Sequence, residues 1–104
     1  MVIYGLATCD TCRSASRALH EVDFVDVRAT GFPDGLLERA AEVFGADLVN
    51  RRSATWRSLS EEERALPPVE LIRRHPAVMK RPLIETEDGL HLGWSAEVRR
   101  ALGV

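Results

Sequence analysis

The sequence is sparing with cysteine and lysine and contains no long hydrophobic run. No apolar stretch approaches the roughly 20 residues that a membrane-spanning helix requires. Lysine occurs once, at Lys80, and every other basic residue of the 14 is an arginine. The formal net charge is −2, so the overall charge gives no reason to expect binding to nucleic acid or to an anionic membrane. The composition, 45% hydrophobic and 29% charged, is typical of a globular domain.

The length of 104 residues predicts one domain with a single modest core. The chain contains no internal repeat, low-complexity tract or linker. Its first residues, Met-Val-Ile-Tyr-Gly, lack the basic segment and long apolar stretch of a signal peptide. We therefore expect a cytoplasmic protein whose cysteines meet a reducing environment, which favours a reactive cysteine pair over a structural disulfide.

The only two cysteines, Cys9 and Cys12, form a Cys-x-x-Cys motif between an apolar run, Val2–Leu6, and a helix-like segment, Arg13–His20. The unpaired N–H groups and the positive dipole end of a helix N-terminus stabilise a thiolate at Cys9. Cys12 lies about one helical turn further on, close enough to form a disulfide with Cys9. The motif therefore predicts a redox dithiol, with Cys9 as nucleophile and Cys12 as resolving thiol.

Three other interpretations of the cysteines stay open. A zinc site needs about four ligands, and His20, His75 and His91 show no paired spacing, so we expect no bound metal. A structural disulfide would close a very small loop and would constrain the unfolded chain little. The two cysteines could also be buried and unreactive, as free cysteines often are.

The first part of the chain predicts a βαβ unit. Strands are expected at 2–6 and Phe24–Arg28, and the helix between them, capped by Asp10 or Thr11, ends near His20. Because a helix connects the two strands, we expect them to be parallel.

A helical insertion is expected at about 33–79. Asp34 is placed to cap its first helix. Ser60 and Glu63 have the spacing of a capping box for a short helix. Pro68 suits the first turn of another helix.

The end of the chain predicts a hairpin and a last helix. The strands 82–86 and 90–94 flank Glu87–Gly89, in which Asp-Gly tolerates the positive φ of a tight turn. Ser95 is placed to cap the helix that follows. The order β-α-β, helical insertion, β-β-α predicts an α/β, thioredoxin-like fold with a mixed four-stranded sheet, formed by residues 1–104 as one domain.

The chemistry is expected at the turn after the first strand, where ligands of such sheets collect. Thr11 is a candidate donor to the thiolate or to a bound oxyanion, with a simple turn residue as the alternative. Arg81 and Pro82 open the third strand opposite this turn, and arginine suits bidentate binding of oxyanions. Arg51 and Arg52 are further candidates, although each arginine alone is also explained as a solvated surface residue.

Four blocks of the sequence carry a resemblance to a known family. They are Ile3-Tyr4-Gly5 with Cys9-Asp10-Thr11, Leu48–Arg57, His75-Pro76 with Lys80–Leu83, and Leu92–Ser95. Together they resemble the arsenate reductase (ArsC)/Spx/YffB family, most closely its short YffB-type branch, over essentially the whole chain. The resemblance implies the thioredoxin-like fold and a redox role for Cys9. It also implies that Arg81 binds an oxyanion or a glutathione carboxylate and that Pro82 is cis.

The resemblance implies a thiol oxidoreductase without a bound cofactor, acting on an oxyanion such as arsenate, a disulfide or a glutathione adduct. Glutathione would be the co-substrate, and glutaredoxin or thioredoxin a partner. Spx-type members use Cys-x-x-Cys as a redox switch, so the alternative is a regulator that binds RNA polymerase and not nucleic acid directly. Of the three substrate arginines of the reductases, Arg81 is retained. The others fall at Trp94 and at Asn50, or at Arg51 or Arg52 in a shifted register.

Overall fold

In the computed structural model, which describes residues 1–104, four strands form one mixed sheet. They are β1 (Val2–Gly5), β2 (Asp23–Asp26), β3 (Leu83–Thr86) and β4 (Gly89–Leu92). The order across the sheet is β2-β1-β3-β4; β1 pairs with β2 in parallel and with β3 antiparallel, and β3 pairs antiparallel with β4. The predicted mixed sheet and thioredoxin-like strand order are confirmed.

Seven α-helices and two short 3₁₀-helices complete the chain. The α-helices are α1 (Asp10–Ala18), α2 (Val27–Thr30), α3 (Leu36–Phe44), α4 (Ala54–Ser58), α5 (Glu61–Arg64), α6 (Pro68–Arg74) and α7 (Ala96–Ala101), and the 3₁₀-helices are Gly45–Leu48 and Pro76–Val78. None of them has both the length and the apolar composition needed to cross a bilayer. Two compact units result: the first combines Met1–Thr30 with Arg81–Val104, and the second is Gly31–Lys80.

The core of the first unit lies between the sheet and α1. Ile3 and Ile84 are partners in the β1–β3 ladder and are fully buried. Ala15 of α1 and Leu19, the residue that follows the helix, complete this cluster. Trp94 is partly buried and packs against the cluster. Burial of each isoleucine or leucine contributes about 1.5–3 kcal/mol.

The second unit takes its apolar side chains mainly from two helices that contact each other, α3 and α6. The fully buried residues of these helices are Leu36, Leu37, Ala40, Leu71 and Ile72. An isolated antiparallel bridge pairs Val49 with Met79, and the Lys80 N–H donates to the Leu48 carbonyl at 2.8 Å. These contacts join the two ends of the segment that contains α4, α5 and α6.

The predicted caps of α1 are wrong. The N-cap residue is Cys9, which has extended backbone angles and no side-chain cap hydrogen bond. Asp10 is the first helical residue, and its carboxylate pairs with Arg13 one turn further on. Thr11 also lies inside the helix, so neither polar residue caps it. Because Cys9 takes this position, its sulfur stands at the start of the helix.

Two further boundaries differ from the prediction. The strand expected to continue to Arg28 ends at Asp26, whose carboxylate accepts the N–H groups of Arg28 and Ala29 and so begins α2. Asp34 does not cap α3 either, because its N-cap residue is Gly35, in the left-handed conformation with φ 81°. The error at α3 comes from choosing between two adjacent residues, Asp34 and Gly35, which are both suited to an N-cap.

The predicted serine caps are confirmed. The Ser60 hydroxyl accepts the Glu63 N–H, and the Ser95 hydroxyl accepts the Val98 N–H, each at 3.2 Å. The Glu63 carboxylate, which a complete capping box would return to Ser60, pairs instead with Nε2 of His75. The capping box is therefore half formed, and its glutamate links α5 to the end of α6.

Candidate redox site

Both cysteines lie where β1 passes into α1. Cys9 is partly exposed, whereas Cys12 is fully buried in the first turn of the helix. The Cys9 N–H donates to the Leu6 carbonyl at 3.0 Å and closes the turn, and the Arg13 N–H donates to the Cys9 carbonyl at 3.0 Å as the helix begins. The turn thus presents one accessible and one enclosed sulfur.

The surroundings of Cys9 favour its thiolate. Partial burial raises the pKa of Cys9, but it is outweighed by hydrogen bonds from the N–H and the thiol of Cys12, the positive charge of Arg81 and the N–H of Thr11, so the pKa is lowered. Thr11 acts here through its backbone N–H. The predicted role of Thr11 in binding a substrate stays a prediction.

The surroundings of Cys12 favour its thiol. The pKa of Cys12 is raised to about 11, chiefly by burial and also by the hydrogen bond to Cys9 and the negative charge on Cys9. The N–H of Leu6 and the charge of Arg81 act in the opposite direction. The two pKa shifts have opposite signs, so Cys9 loses its proton at a lower pH than Cys12 does.

Asp26 holds the turn from the neighbouring strand. One of its carboxylate oxygens accepts the Ala7 N–H at 3.0 Å, and the other accepts the Arg28 N–H at 2.9 Å. The hydrogen bond from Ala7, followed by those at the start of α2, lowers the pKa of Asp26. Asp26 was not among the residues expected at the site. The signal for it was an aspartate at the carboxyl end of a strand parallel to β1.

Arg81 and Pro82 lie in the same unit as the cysteines, and their peptide bond is cis, as the resemblance suggested. Pro82 is buried, and its carbonyl accepts the Gly93 N–H at 2.8 Å. The charge of Arg81 lowers the pKa of both Cys9 and Cys12. The structure therefore brings Arg81 into electrostatic contact with the dithiol.

Arg51 and Arg52 lie in the second unit. The Arg51 guanidinium stacks on Trp56, 5.4 Å from the ring centroid. The Arg52 carbonyl accepts a hydrogen bond from the Arg57 guanidinium at 2.7 Å. With Lys80, both arginines line a cavity of about 690 Å³. Their predicted role in substrate binding stays a prediction.

The structure contains no group of three or more histidine, cysteine, aspartate or glutamate side chains that could hold a metal ion.

Comparison with known proteins identifies the family. The model of the ArsC family matches residues 4–102. The chain belongs to the ArsC family. An uncharacterised protein of Haemophilus influenzae is 30% identical and covers 97% of this chain and 96% of its own length. The global transcriptional regulator Spx of Bacillus subtilis is 28% identical, covering 98% of this chain and 86% of its own.

Solved structures agree with this assignment. The YFFB (PA3664) protein has a TM-score of 0.87 at 30% identity and covers 99% of this chain and 98% of its own. An arsenate reductase (ArsC) related protein from Brucella melitensis has a TM-score of 0.72 at 28% identity and covers 96% and 91%. The resemblance to the ArsC/Spx/YffB family is confirmed, and this ArsC-family chain belongs among proteins of thiol-redox chemistry.

Proposed function

We propose that this protein is a thiol-based oxidoreductase that uses Cys9 as nucleophile and Cys12 as resolving thiol. The observation that carries the proposal is the difference in exposure and in pKa between the two sulfurs. Cys9 is partly exposed and its pKa is lowered, whereas Cys12 is buried and its pKa is raised. An attacking sulfur must be an accessible thiolate, and a buried thiol with a raised pKa does not compete with it for the first attack.

The reaction with a disulfide proceeds in two exchanges. The Cys9 thiolate attacks one sulfur of the substrate, a bond to Cys9 forms, and the other substrate sulfur leaves as a thiolate. Cys12 then gives its proton to solvent and attacks the Cys9 sulfur, which forms the Cys9–Cys12 disulfide and releases the second substrate thiolate. The substrate gains two electrons. Two glutathione molecules, or a dithiol partner such as glutaredoxin or thioredoxin, return them to the protein.

The substrate is a glutathione adduct, another disulfide or an oxyanion such as arsenate. Arg81 supports this choice, because its charge acts at both sulfurs and an arginine binds carboxylates and oxyanions with two hydrogen bonds. The Brucella melitensis neighbour, described as arsenate reductase related, supports the oxyanion. The further residues proposed to bind substrate are Thr11, Arg51, Arg52 and Pro82. We place the protein in the cytoplasm, where thiols are kept reduced.

Turnover of a glutathione mixed disulfide and of arsenate, with glutathione and glutaredoxin or with thioredoxin as donor, tests the proposal. We expect Cys9→Ser to abolish turnover. Cys12→Ser should trap the substrate on Cys9 as an adduct that mass spectrometry detects. Ser14→Ala, an exposed change on the same helix, should leave turnover unchanged. Turnover that survives Cys9→Ser would contradict the proposal.

A second candidate function is a redox-switched regulator, because Spx of Bacillus subtilis is 28% identical over 98% of the chain. In that case oxidation of Cys9 and Cys12 would alter a surface that binds RNA polymerase, and no substrate would be turned over. A pull-down with a purified bacterial RNA polymerase, using oxidised and reduced protein, separates the two functions. Binding to the polymerase that changes with oxidation in the wild type, and no longer changes with oxidation in Cys9→Ser, would favour the regulator.

A further inference from the structure

Gly5, the last residue of β1, differs from the other glycines of the chain. Six of the seven have positive φ angles, where glycine is favoured for its conformational freedom. Gly5 is the remaining one, and it pairs with Asp26 in the regular parallel ladder of β1 and β2. Backbone conformation therefore gives no reason for a glycine at this position.

The reason for glycine is the space that Cys12 occupies. A Cβ atom on Gly5 would lie 3.3 Å from the Cys12 Cβ and within 3.0 Å of the Cys12 sulfur, closer than real Cβ atoms come. The next atom, Cζ of Phe24, would lie at an ordinary 3.9 Å. The conflict is thus specific to Cys12, whose side chain fills the volume that a residue-5 side chain would need.

The Cys12 sulfur has little freedom to move away. Cys12 is fully buried, and the N–H of Leu6, the residue after Gly5, donates to its sulfur. The Cys12 thiol in turn donates to Cys9. Gly5 and Leu6 therefore hold this sulfur in place: Gly5 leaves the space for it, and the Leu6 N–H donates a hydrogen bond to it.

We propose that Gly5 is a positioning residue for the dithiol, which by having no side chain keeps the Cys12 sulfur within hydrogen-bonding reach of Cys9. The inference rests on the proposed redox function of the two cysteines. Any side chain at position 5 would displace the Cys12 sulfur. Cys9 would then lose the hydrogen bond that supports its thiolate, and Cys12 would be misplaced for its attack on the mixed disulfide.

The substitution Gly5→Ala tests this role, because alanine adopts strand angles without strain. We expect the pKa of Cys9, followed by the ultraviolet absorbance of its thiolate, to rise toward that of an ordinary cysteine. We also expect the release of glutathione from a mixed disulfide loaded on Cys9 to slow by roughly tenfold or more, since misplacement by about 1 Å has large effects on rate.

The same change in a Cys12→Ala background is the decisive control. Because Cys12→Ala removes the sulfur, the double variant should have the same Cys9 pKa as Cys12→Ala alone. The effects of the two substitutions on this pKa are then not additive. An equal rise in both backgrounds, or no rise with Cys12 present, would overturn the inference. Val22→Ala trims a partly buried side chain of the same core and controls for lost stability; it should not move the pKa of Cys9.

Two further measurements keep the outcomes distinct. If Gly5→Ala alone folds poorly, urea denaturation of the double variant should show restored stability, as relief of the clash requires, and no restoration would overturn the inference. The wild-type titration separates the inference from the proposed function. A wild-type Cys9 with an ordinary pKa contradicts both the proposed function and the inference. A lowered wild-type pKa that does not change in Gly5→Ala contradicts the inference alone.

Discussion

The Asp26 carboxylate accepts the backbone N–H of Ala7 at 3.0 Å and thereby ties the end of β2 to the turn that presents Cys9. The same side chain accepts the N–H groups that begin α2, from Arg28 at 2.9 Å and Ala29 at 3.3 Å. One carboxylate therefore stabilises both the turn before the reactive cysteine and the start of the helix after the strand.

The pH dependence of stability should reveal this carboxylate. The hydrogen bond from Ala7 is the largest cause that lowers the pKa of Asp26 below its usual 3.8. A carboxyl group whose pKa is lowered on folding stabilises the native state above its unfolded pKa, and this contribution is lost as the pH falls through the folded pKa. We expect Asp26→Asn to lower the free energy of unfolding at pH 7, in urea denaturation, and the difference from wild type to disappear as the pH falls below 3.8.

Asp23→Asn provides the matched control, since Asp23 lies at the other end of β2 and is exposed. It should change the free energy of unfolding less than Asp26→Asn does at neutral pH. Equal losses in the two variants, or a loss in Asp26→Asn that persists at low pH, would show that the hydrogen bonds of Asp26 are not the cause.

The charge of Arg81 should set part of the reactivity of Cys9. Because this charge lowers the pKa of Cys9, Arg81→Gln should raise it, and each pKa unit of rise cuts the thiolate fraction below the pKa by about tenfold. The rate of alkylation by iodoacetamide against pH, in a Cys12→Ser background, measures this directly. Arg81→Lys should keep most of the reactivity, and Arg100→Gln, on exposed α7, should keep all of it. An unmoved profile in Arg81→Gln would contradict this assignment.

The features that the sequence predicted well depend on local patterns. The hairpin follows from the Asp-Gly pair at the turn, and the caps of α5 and α7 follow from Ser60 and Ser95, each of which bonds to an N–H three residues on. The Cys-x-x-Cys motif after a strand likewise placed both cysteines at the start of a helix, where the structure has them. These signals need no knowledge of distant contacts.

The features that were missed depend on partners remote in sequence or on polar stretches without periodicity. Asp26 acts on Ala7, 19 residues away, and the need for glycine at position 5 comes from the sulfur of Cys12. The polar stretch around Ser53 forms α4, because its hydroxyl accepts the Trp56 N–H at 3.1 Å. No hydrophobic pattern in the sequence indicates such contacts.

Arg64 should stabilise the second unit through Trp56. Its guanidinium lies 5.4 Å from the Trp56 ring centroid and donates to the carbonyls of Trp56 at 3.2 Å and Arg57 at 3.0 Å, joining α5 to α4. We expect Arg64→Ala to lower the free energy of unfolding by about 1 kcal/mol and to alter Trp56 fluorescence. Arg64→Lys should lose an intermediate amount, because lysine keeps the charge but not the forked geometry.

Arg74→Ala is the comparison for this loss. Arg74 pairs only with Glu70 on the surface of α6, an i,i+4 contact worth about 0.3–0.5 kcal/mol, and it does not touch Trp56. Equal losses in Arg64→Ala and Arg74→Ala, without a change in fluorescence, would show that the stacking on Trp56 contributes nothing.

The pKa of Cys12 should fall once Cys9 has reacted. In the free dithiol it is about 11, raised first by burial and then by the hydrogen bond to Cys9 and the negative charge on Cys9. A mixed disulfide at Cys9 carries no charge and cannot accept that hydrogen bond as a thiolate does, so burial is the only one of the three raising causes that is left. Cys12 would thus become a better nucleophile at the moment when it must attack. Thiolate absorbance against pH, on protein alkylated at Cys9 with iodoacetamide to a neutral thioether that Cys12 cannot displace, should place the pKa of Cys12 below 11. Cys9→Ser, which also lacks the charge, should show the same fall; a Cys12 that still titrates near 11 in both proteins would mean that burial alone sets its pKa.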